Sequence, residues 1–190
     1  MNRPEIVHES VHESVHESVH ESVRESVRCY VALGANLGAP ATAFGAALKG
    51  LDGSLGVQVL ACSALYSSEP FEASGPPYLN AVCALNSTLT APALLGVLQQ
   101  LELDAGRVRE FHHQPRVLDL DLLFFGQAQV QSPKLTLPHP RWFERAFVLL
   151  PLMEFEPSWV TPAMLKGVED QTISRLEPEF PLWRSKPPQP

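Results

Sequence analysis

Two carboxylates, Asp119 and Asp121, sit inside the apolar run PRVLDLDLLFFG at residues 115–126. Such a run suits a buried strand, and side chains alternate across a strand. Leu118, Leu120, Leu122 and Phe124 would then share one face, and Asp119, Asp121, Leu123 and Phe125 the other. The i, i+2 spacing sets the two acids about 6.6 Å apart. At an effective dielectric of ~20 they repel by roughly 2.5 kcal/mol. Compensation comes from a cation between them, from basic partners, or from keeping one acid protonated. Two readings are open on this stretch alone: an acid pair held by arginines, or a divalent-metal site. Mg²⁺ favours one or two carboxylates completed by substrate phosphates.

Arginines cluster around this run although the chain carries a net charge of −7. Arg107 and Arg109 precede it and Arg116 enters it, so three arginines flank the acid pair. Arginine suits planar, multidentate phosphate recognition. Upstream, the ten residues SEPFEASGPP (68–77) form a Pro-, Gly- and Ser-rich irregular stretch, of the kind that is often functional in a small domain. Tyr78 and Asn80 follow it. An amide in an apolar strand is either a satisfied core group or a reader of a heterocycle's fixed donors and acceptors. An acid pair, an arginine set and an aromatic–amide pair together describe phosphoryl-type transfer from a nucleotide to a small planar substrate. Three overlapping H-E-x-x-H matches begin at His8, His12 and His16. On a helix that motif signals a zinc hydrolase, but here the four-residue VHES repeat generates it. A period of four drifts around a 3.6-residue helix, so residues 1–28 are expected to be a disordered or loosely helical tail.

The elements that must position these groups follow from patterning. CYVAL (29–33) reads as a buried strand leading into Gly34-Ala35-Asn36-Leu37-Gly38, a weak phosphate signal without the G-K-[ST] of a P-loop. Pro40 to Leu51 reads as a helix with Phe44, Ala47, Leu48 and Leu51 inward. Val57–Ser67 alternates as one long strand: Val57, Val59, Ala61 and Ser63 share a face, and Leu60, Cys62, Ala64 and Tyr66 share the other. Tyr78–Leu89 is a further strand. Thr90 caps a helix with Pro92 in its first turn, a stripe of Leu94, Leu95, Leu98 and Leu101, and Gly106 as its stop. Glu102 lies near that helix's C-terminus, where the dipole disfavours a carboxylate, which points to a pairing duty. QAQVQSPKLTL (127–137) reads as a hairpin return, and Pro138-His139-Pro140-Arg141 opens a helix with Arg141 and Arg145 on one face. The order is βαββαβ with added helices: an α+β, ferredoxin-like plan, a single domain with an antiparallel sheet and helices on one face. The expected limits are a repeat tail at 1–28, a folded domain at 29–165, and a Pro-rich tail at 166–190, extended or docked through Trp183.

Composition narrows the class. The chain has 190 residues, 45% apolar and 18% charged, as a single soluble domain should. Its acidic balance argues against nucleic acid as a partner. It has no membrane-spanning run and no apolar signal-peptide core. Cys29, Cys62 and Cys83 are odd in number and lie in apolar segments, so they read as reduced core residues of a cytoplasmic protein.

Six pieces, YVALGANLG, SALYSSEPF, PPYLNAV, LELDAGRVR, PRVLDLDLLFFG and LPHPRWFERAFVLLPL, run in this order over roughly Cys29 to Pro157. In them the chain resembles the hydroxymethyl-dihydropterin pyrophosphokinases of folate biosynthesis. The resemblance implies an ATP- and Mg²⁺-dependent transferase that moves the β,γ-pyrophosphoryl unit of ATP to the hydroxymethyl group of 6-hydroxymethyl-7,8-dihydropterin and releases AMP. By the same resemblance Asp119 and Asp121 bind two Mg²⁺ ions, with Asp121 helping to activate the hydroxyl, and Arg107 and Arg116 stabilise the transfer. His139 and Arg145 contact phosphate and nucleotide. Glu102, Arg109, Leu122, Lys134 and Thr136 match further ATP-side positions. Tyr78 and Phe147 match aromatics that sandwich the pterin, Asn80 its amide reader, and Ser68, Pro70 and Phe71 the loop that meets it through backbone. The implied partners are the two small-molecule substrates, with a monomer expected. Two positions depart from the pattern: His112-His113 stand where many members have Arg-Trp, and Pro140 where some have Tyr. Neither is a metal ligand or core arginine, so an active enzyme is expected. Two rival classes, another D-x-D nucleotide transferase and a non-catalytic ferredoxin-like module, leave PPYLNAV or the acid pair unexplained.

Overall fold

Strand β1 (Val27–Ala35) is apolar on both sides, so both its faces must be covered. Cys29, Val31, Leu33 and Ala35 enter one core and Tyr30 and Ala32 another. The computed structural model describes residues 25–70, 75–106 and 117–176. The elements after β1 are α1 (Pro40–Gly53), β2 (Val57–Cys62), β3 (Tyr66–Ser68), β4 (Tyr78–Ser87), α2 (Ala91–Asp104) and β5 (Asp119–Phe125). Then come β6 (Val130–Gln131), β7 (Thr136–Leu137), a 3-10 turn (Trp142–Glu144), α3 (Ala146–Leu152), α4 (Pro162–Lys166) and β8 (Ile173–Arg175). The main sheet runs β5-β1-β4-β3-β8, with β2 also on β4, and its pairs are antiparallel. β6 and β7 make a small hairpin sheet. This is the expected α+β plan, and among the described residues no helix is long and apolar enough to cross a membrane.

α1 and α2 cover one face. The buried residues of α1 are Phe44, Ala47, Leu48 and Leu51, the stripe read from its 3.6-residue period. In α2 the Thr90 hydroxyl accepts the Ala93 N–H, and Leu94 and Leu98 are buried. The opposite face is not bare: α3 lays Val148 and Leu152 on Tyr30, Ala32, Val82 and Ala84. The plan with helices on one face therefore holds for α1 and α2 and becomes three layers through α3.

Two bulges change the expected faces. Val31 pairs with Leu122 but Tyr30 with Phe124, so Leu123 is the extra residue in β5. A bulge turns every later side chain over. Phe124 consequently packs with Tyr30 on the α3 side, while Phe125 packs on the α1–α2 side. The second shift, between Val59 and Ala61, brings Cys62 opposite Cys83 on the α1–α2 face. Close cross-strand neighbours on one face are within disulfide reach, and Cys62 and Cys83 are bonded, with Cα atoms 4.2 Å apart. This corrects the expectation of three reduced cysteines; only Cys29 is a free buried thiol. The strand expected over Val57–Ser67 is also two strands. Between them the Ser63 hydroxyl accepts the Val82 N–H, replacing a ladder bond.

The sheet reaches past the expected limits of 29 and 165. β1 begins at Val27, and β8 pairs with β3 beyond α4. The region after Pro138 is not one helix. The 3-10 turn stops at Glu144, and Arg145 is extended at φ −125°, ψ 111° before α3 starts. Arg141 and Arg145 accordingly point to different partners: Arg141 Nε lies 3.5 Å from Glu144, and Arg145 Nη1 lies 3.0 Å from Asp121.

Candidate active site

On the α3 side of the sheet, Gly34 of β1 pairs with Asn80 of β4 on one side and with Asp119 of β5 on the other. Ala32 likewise pairs with Val82 and Asp121. Strands lie about 4.8 Å apart, so a two-strand interval of about 10 Å separates the amide from the acid, floored by a residue without a side chain. A Cβ built on Gly34 would stand 3.8 Å from Asn80 Oδ1 and 3.9 Å from Asp119 Cβ. Any larger side chain would fill the gap between them.

Asn80 is fixed. Its Nδ2 donates to Ser68 Oγ at 2.9 Å, with longer contacts to the carbonyls of Tyr78 and Tyr66. With the amide nitrogen committed to its own strand pair, Oδ1 is the atom directed over Gly34. The core-amide reading thus holds for Nδ2, while Oδ1 faces the Gly34 floor. Ser68 is itself buried.

Asp119 and Asp121 are half-buried on this same face, as the alternation predicts. Leu120 and Leu122 between and after them fill the core on the α1–α2 side. Leu122, matched to an ATP-side position, can therefore offer a ligand only its backbone. β5 is an edge strand, and edge N–H groups need partners. Glu102 of α2 provides one: it is 2% exposed, and its Oε1 accepts the Leu120 N–H at 2.9 Å. The pairing duty expected of Glu102 is thus to the backbone between the two acids.

The bulge at Leu123 has a local use. Its carbonyl accepts the His139 N–H at 2.9 Å, which seats His139 beside Asp121. His139 Nε2 lies 3.9 Å from Asp121 Oδ2, and its Nδ1 accepts the Arg141 N–H. Burial pushes the His139 pKa below 6.5 and the Arg145 and Arg141 charges push the same way, while the Asp121 carboxylate opposes them. Arg145 Nη1 donates to Asp121 Oδ2 at 3.0 Å, and its guanidinium carbon stands 5.5 Å from the centre of the Phe147 ring. Lys134 and Thr136 are exposed on the β6–β7 hairpin.

A cavity of about 130 Å³ adjoins this assembly, lined by Ser68, Glu69, Pro70, Phe147 and, among others, Gln171 and Thr172. It joins the expected loop positions Ser68 and Pro70 to Phe147, but Tyr78 and Asn80 do not line it. Sequence reasoning missed its 170–173 wall, because nothing in that polar stretch marks it as a partner of residues 23 positions away or more. Phe71, Arg107, Arg109, Arg116, His112 and His113 lie outside the described residues, as do the H-E-x-x-H repeats.

The carboxylates offer hard oxygen donors on one partly open face, and among the described residues no group of three or more His, Cys, Asp or Glu could hold a metal ion. Two protein oxygens with the remaining positions left to phosphate and water is the arrangement that suits Mg²⁺.

Comparison with known proteins gives the family and the fold. The family model for 7,8-dihydro-6-hydroxymethylpterin-pyrophosphokinase matches residues 30–157. A 2-amino-4-hydroxy-6-hydroxymethyldihydropteridine pyrophosphokinase of Synechocystis is 40% identical over 136 residues, covering 72% of this chain and 70% of its own. Those of Pseudomonas aeruginosa and Haemophilus influenzae are 42% and 34% identical, covering 69% and 77% of this chain and 82% and 96% of theirs. Among solved structures, an HPPK-DHPS in complex with substrates superposes with a TM-score of 0.59 at 11% identity, over 77% of this chain and 43% of that one. The chain thus spans less than half of that longer protein, and the likeness is one of fold. With a family match over residues 30–157 and relatives 42% and 34% identical across 82% and 96% of their own length, the chain belongs to the 7,8-dihydro-6-hydroxymethylpterin-pyrophosphokinase family.

Proposed function

We propose that this site transfers the β,γ-pyrophosphoryl unit of ATP to the hydroxymethyl oxygen of 6-hydroxymethyl-7,8-dihydropterin and releases AMP. The observation that carries the reading is the row Asn80–Gly34–Asp119, which joins an amide reader to an acid pair across an empty floor. Asn80 Oδ1 accepts a ring N–H of the pterin, with Tyr78 and Phe147 as the aromatic walls and Ser68, Pro70 and Phe71 at its edge. Asp119 and Asp121 would hold two Mg²⁺ ions, which would supply charge neutralisation for the transfer. Asp121 also takes the hydroxyl proton as the oxygen bonds to the β-phosphorus and the bond to the α-phosphate oxygen breaks. Arg145 and His139 meet the triphosphate from α3 and its lead-in. Arg107, Arg109 and Arg116 complete the phosphate contacts, and Lys134 and Thr136 stand on the nucleotide side. Orientation and charge stabilisation supply the acceleration, as in other phosphoryl transfers.

We place the enzyme in the cytoplasm as a monomer acting on small molecules alone; its charge of −7 supports the absence of nucleic acid. The test is AMP release from ATP and Mg²⁺ with and without the pterin. Pterin-dependent AMP is expected; ADP, or AMP independent of pterin, would overturn the reading.

A further inference from the structure

Gln171 lies beyond the residues 30–157 that match the family. Its side-chain amide grips the main chain on both sides of Arg145. Oε1 accepts the Ala146 N–H at 2.8 Å, and Nε2 donates to the Glu144 carbonyl at 2.8 Å. The first N–H groups of a helix have no intrahelical partner, and a side chain at the N-cap usually satisfies one of them. Here the N-cap of α3 is Arg145, which makes no side-chain cap. A Ser or Asp there could cap the helix but could not reach Asp121 with a cation. Gln171 resolves the conflict from another part of the chain: it satisfies Ala146 and leaves the Arg145 guanidinium to Asp121 and the Phe147 ring.

Gln171 is anchored in turn. The Thr172 carbonyl accepts the Glu69 N–H at 3.1 Å, and Ile173 pairs with Ser68 at the start of the β3–β8 ladder. Residues 170–173 therefore tie the Ser68–Pro70 wall of the cavity to the Ala146–Phe147 wall. We propose that Gln171 is a positioning residue of the transfer reaction, fixing Arg145 and Phe147 relative to Asp121 and to the Ser68–Pro70 loop. The inference rests on the proposed function for its kinetic part and on the clamp geometry alone for its structural part.

The test uses Gln171→Met, which keeps the side-chain length and removes both hydrogen bonds, and Gln171→Glu, which keeps the acceptor. In Gln171→Met, hydrogen exchange at the Ala146 amide should quicken at least about tenfold, with β1 and β4 amides unchanged. Its kcat/KM for the pterin should fall by about 10- to 100-fold, the scale of a displaced positioning group. In an Arg145→Ala background the same change should cost several-fold less, the remainder passing through Phe147, because residues acting through one another are non-additive. Gln171→Glu should restore the slow exchange of Ala146. Unchanged exchange at Ala146 in Gln171→Met, or an equal kinetic loss with and without Arg145, would overturn the proposal. If the unmodified enzyme forms no pterin-dependent AMP, the proposed function fails, and the exchange measurement still decides whether the clamp exists.

Discussion

Asp121→Asn removes one charge and keeps the side-chain shape. Two opposing terms change in the ligand-free protein. The repulsion between carboxylates about 6.6 Å apart, roughly 2.5 kcal/mol at an effective dielectric of ~20, disappears. The Arg145–Asp121 ion pair also disappears; its side chains are 19% and 34% exposed, so solvent screening holds its contribution to about 1 kcal/mol. The charge repulsion is softened by the same solvent, so the terms nearly cancel. The melting temperature of the ligand-free variant should lie within about 3 °C of the parent, on the scale of a 1 kcal/mol change for this size. The liganded protein should behave differently. Mg²⁺ and ATP at a hundred times their dissociation constant stabilise a folded protein by about 2.7 kcal/mol, or about 5–10 °C here. That shift should vanish in Asp121→Asn, and in the parent protein with excess chelator, while AMP formation falls by at least about 1000-fold. Thermal denaturation followed by fluorescence, with and without Mg²⁺ and ATP, reads both melting temperatures, and an AMP-release assay reads the turnover. A variant that keeps the ligand-dependent shift and turns over within tenfold of the parent would refute the metal assignment. A large loss of stability without ligand would refute the electrostatic argument.

Glu102→Ala should show the reverse profile: it strips the buried Leu120 N–H of a partner, costing about 1–3 kcal/mol, visible as a lowered urea midpoint in the absence of any ligand. Thiol titration of air-exposed protein in denaturant should count one reactive group, Cys29, and three after reduction, since Cys62 and Cys83 are bonded; three without reductant would disprove the bond. Tyr30 and Tyr66 have pKa values pushed up to about 12 by burial and then by their hydrogen bonds to Glu156 and Glu154. Because the folded values exceed the unfolded value of 10, this part of the stability is full below pH 10 and is lost as pH rises through 12. Tyr30→Phe and Tyr66→Phe should flatten that alkaline decline in urea midpoint, and an unaltered decline in both would contradict it.

Periodic features were legible in the sequence. The α1 stripe, the Thr90 cap and the shared face of Asp119 and Asp121 each follow from a local rule, and each is present in the fold. Features that depend on a partner strand were not. Neither Leu123 nor the Val59–Ala61 step carries a residue type that announces a bulge, yet each bulge reverses the faces of everything after it. One reversal moves Phe124 onto Tyr30, and the other brings Cys62 to Cys83. The break at Arg145 was hidden for a related reason. Its local sequence is compatible with helix, and the side chain that stabilises the interruption, Gln171, is 26 positions away in the segment read as a tail. Site residues found by resemblance to a family are a separate matter, since spacing alone left the acid pair open between an arginine network and a metal.

The position of the site follows from a gradient along three neighbouring strands on the α3 face. The first row across β4, β1 and β5 is Ala84, Tyr30 and Phe124, packed in one core and closed by α3. The next is Val82, Ala32 and Asp121, and the third is Asn80, Gly34 and Asp119. Along β1 the side chain shrinks from tyrosine to methyl to hydrogen, while its neighbours change from apolar to polar. A helix needs apolar side chains to pack on, so α3 covers the first rows and has nothing to bury against the third. Filling that third row would stabilise the sheet and close the opening. Polar residues and a glycine on a strand that is otherwise core are the local inconsistencies that functional sites carry. The surrounding structure offsets them: Glu102 holds the edge of β5 from beneath, and Ser68 holds the Asn80 amide. The α1–α2 face, which has no such gradient, packs continuously through Leu33 and Leu118. One sheet thus supplies a rigid core on one side and an open polar end on the other, separated by the thickness of a single strand layer.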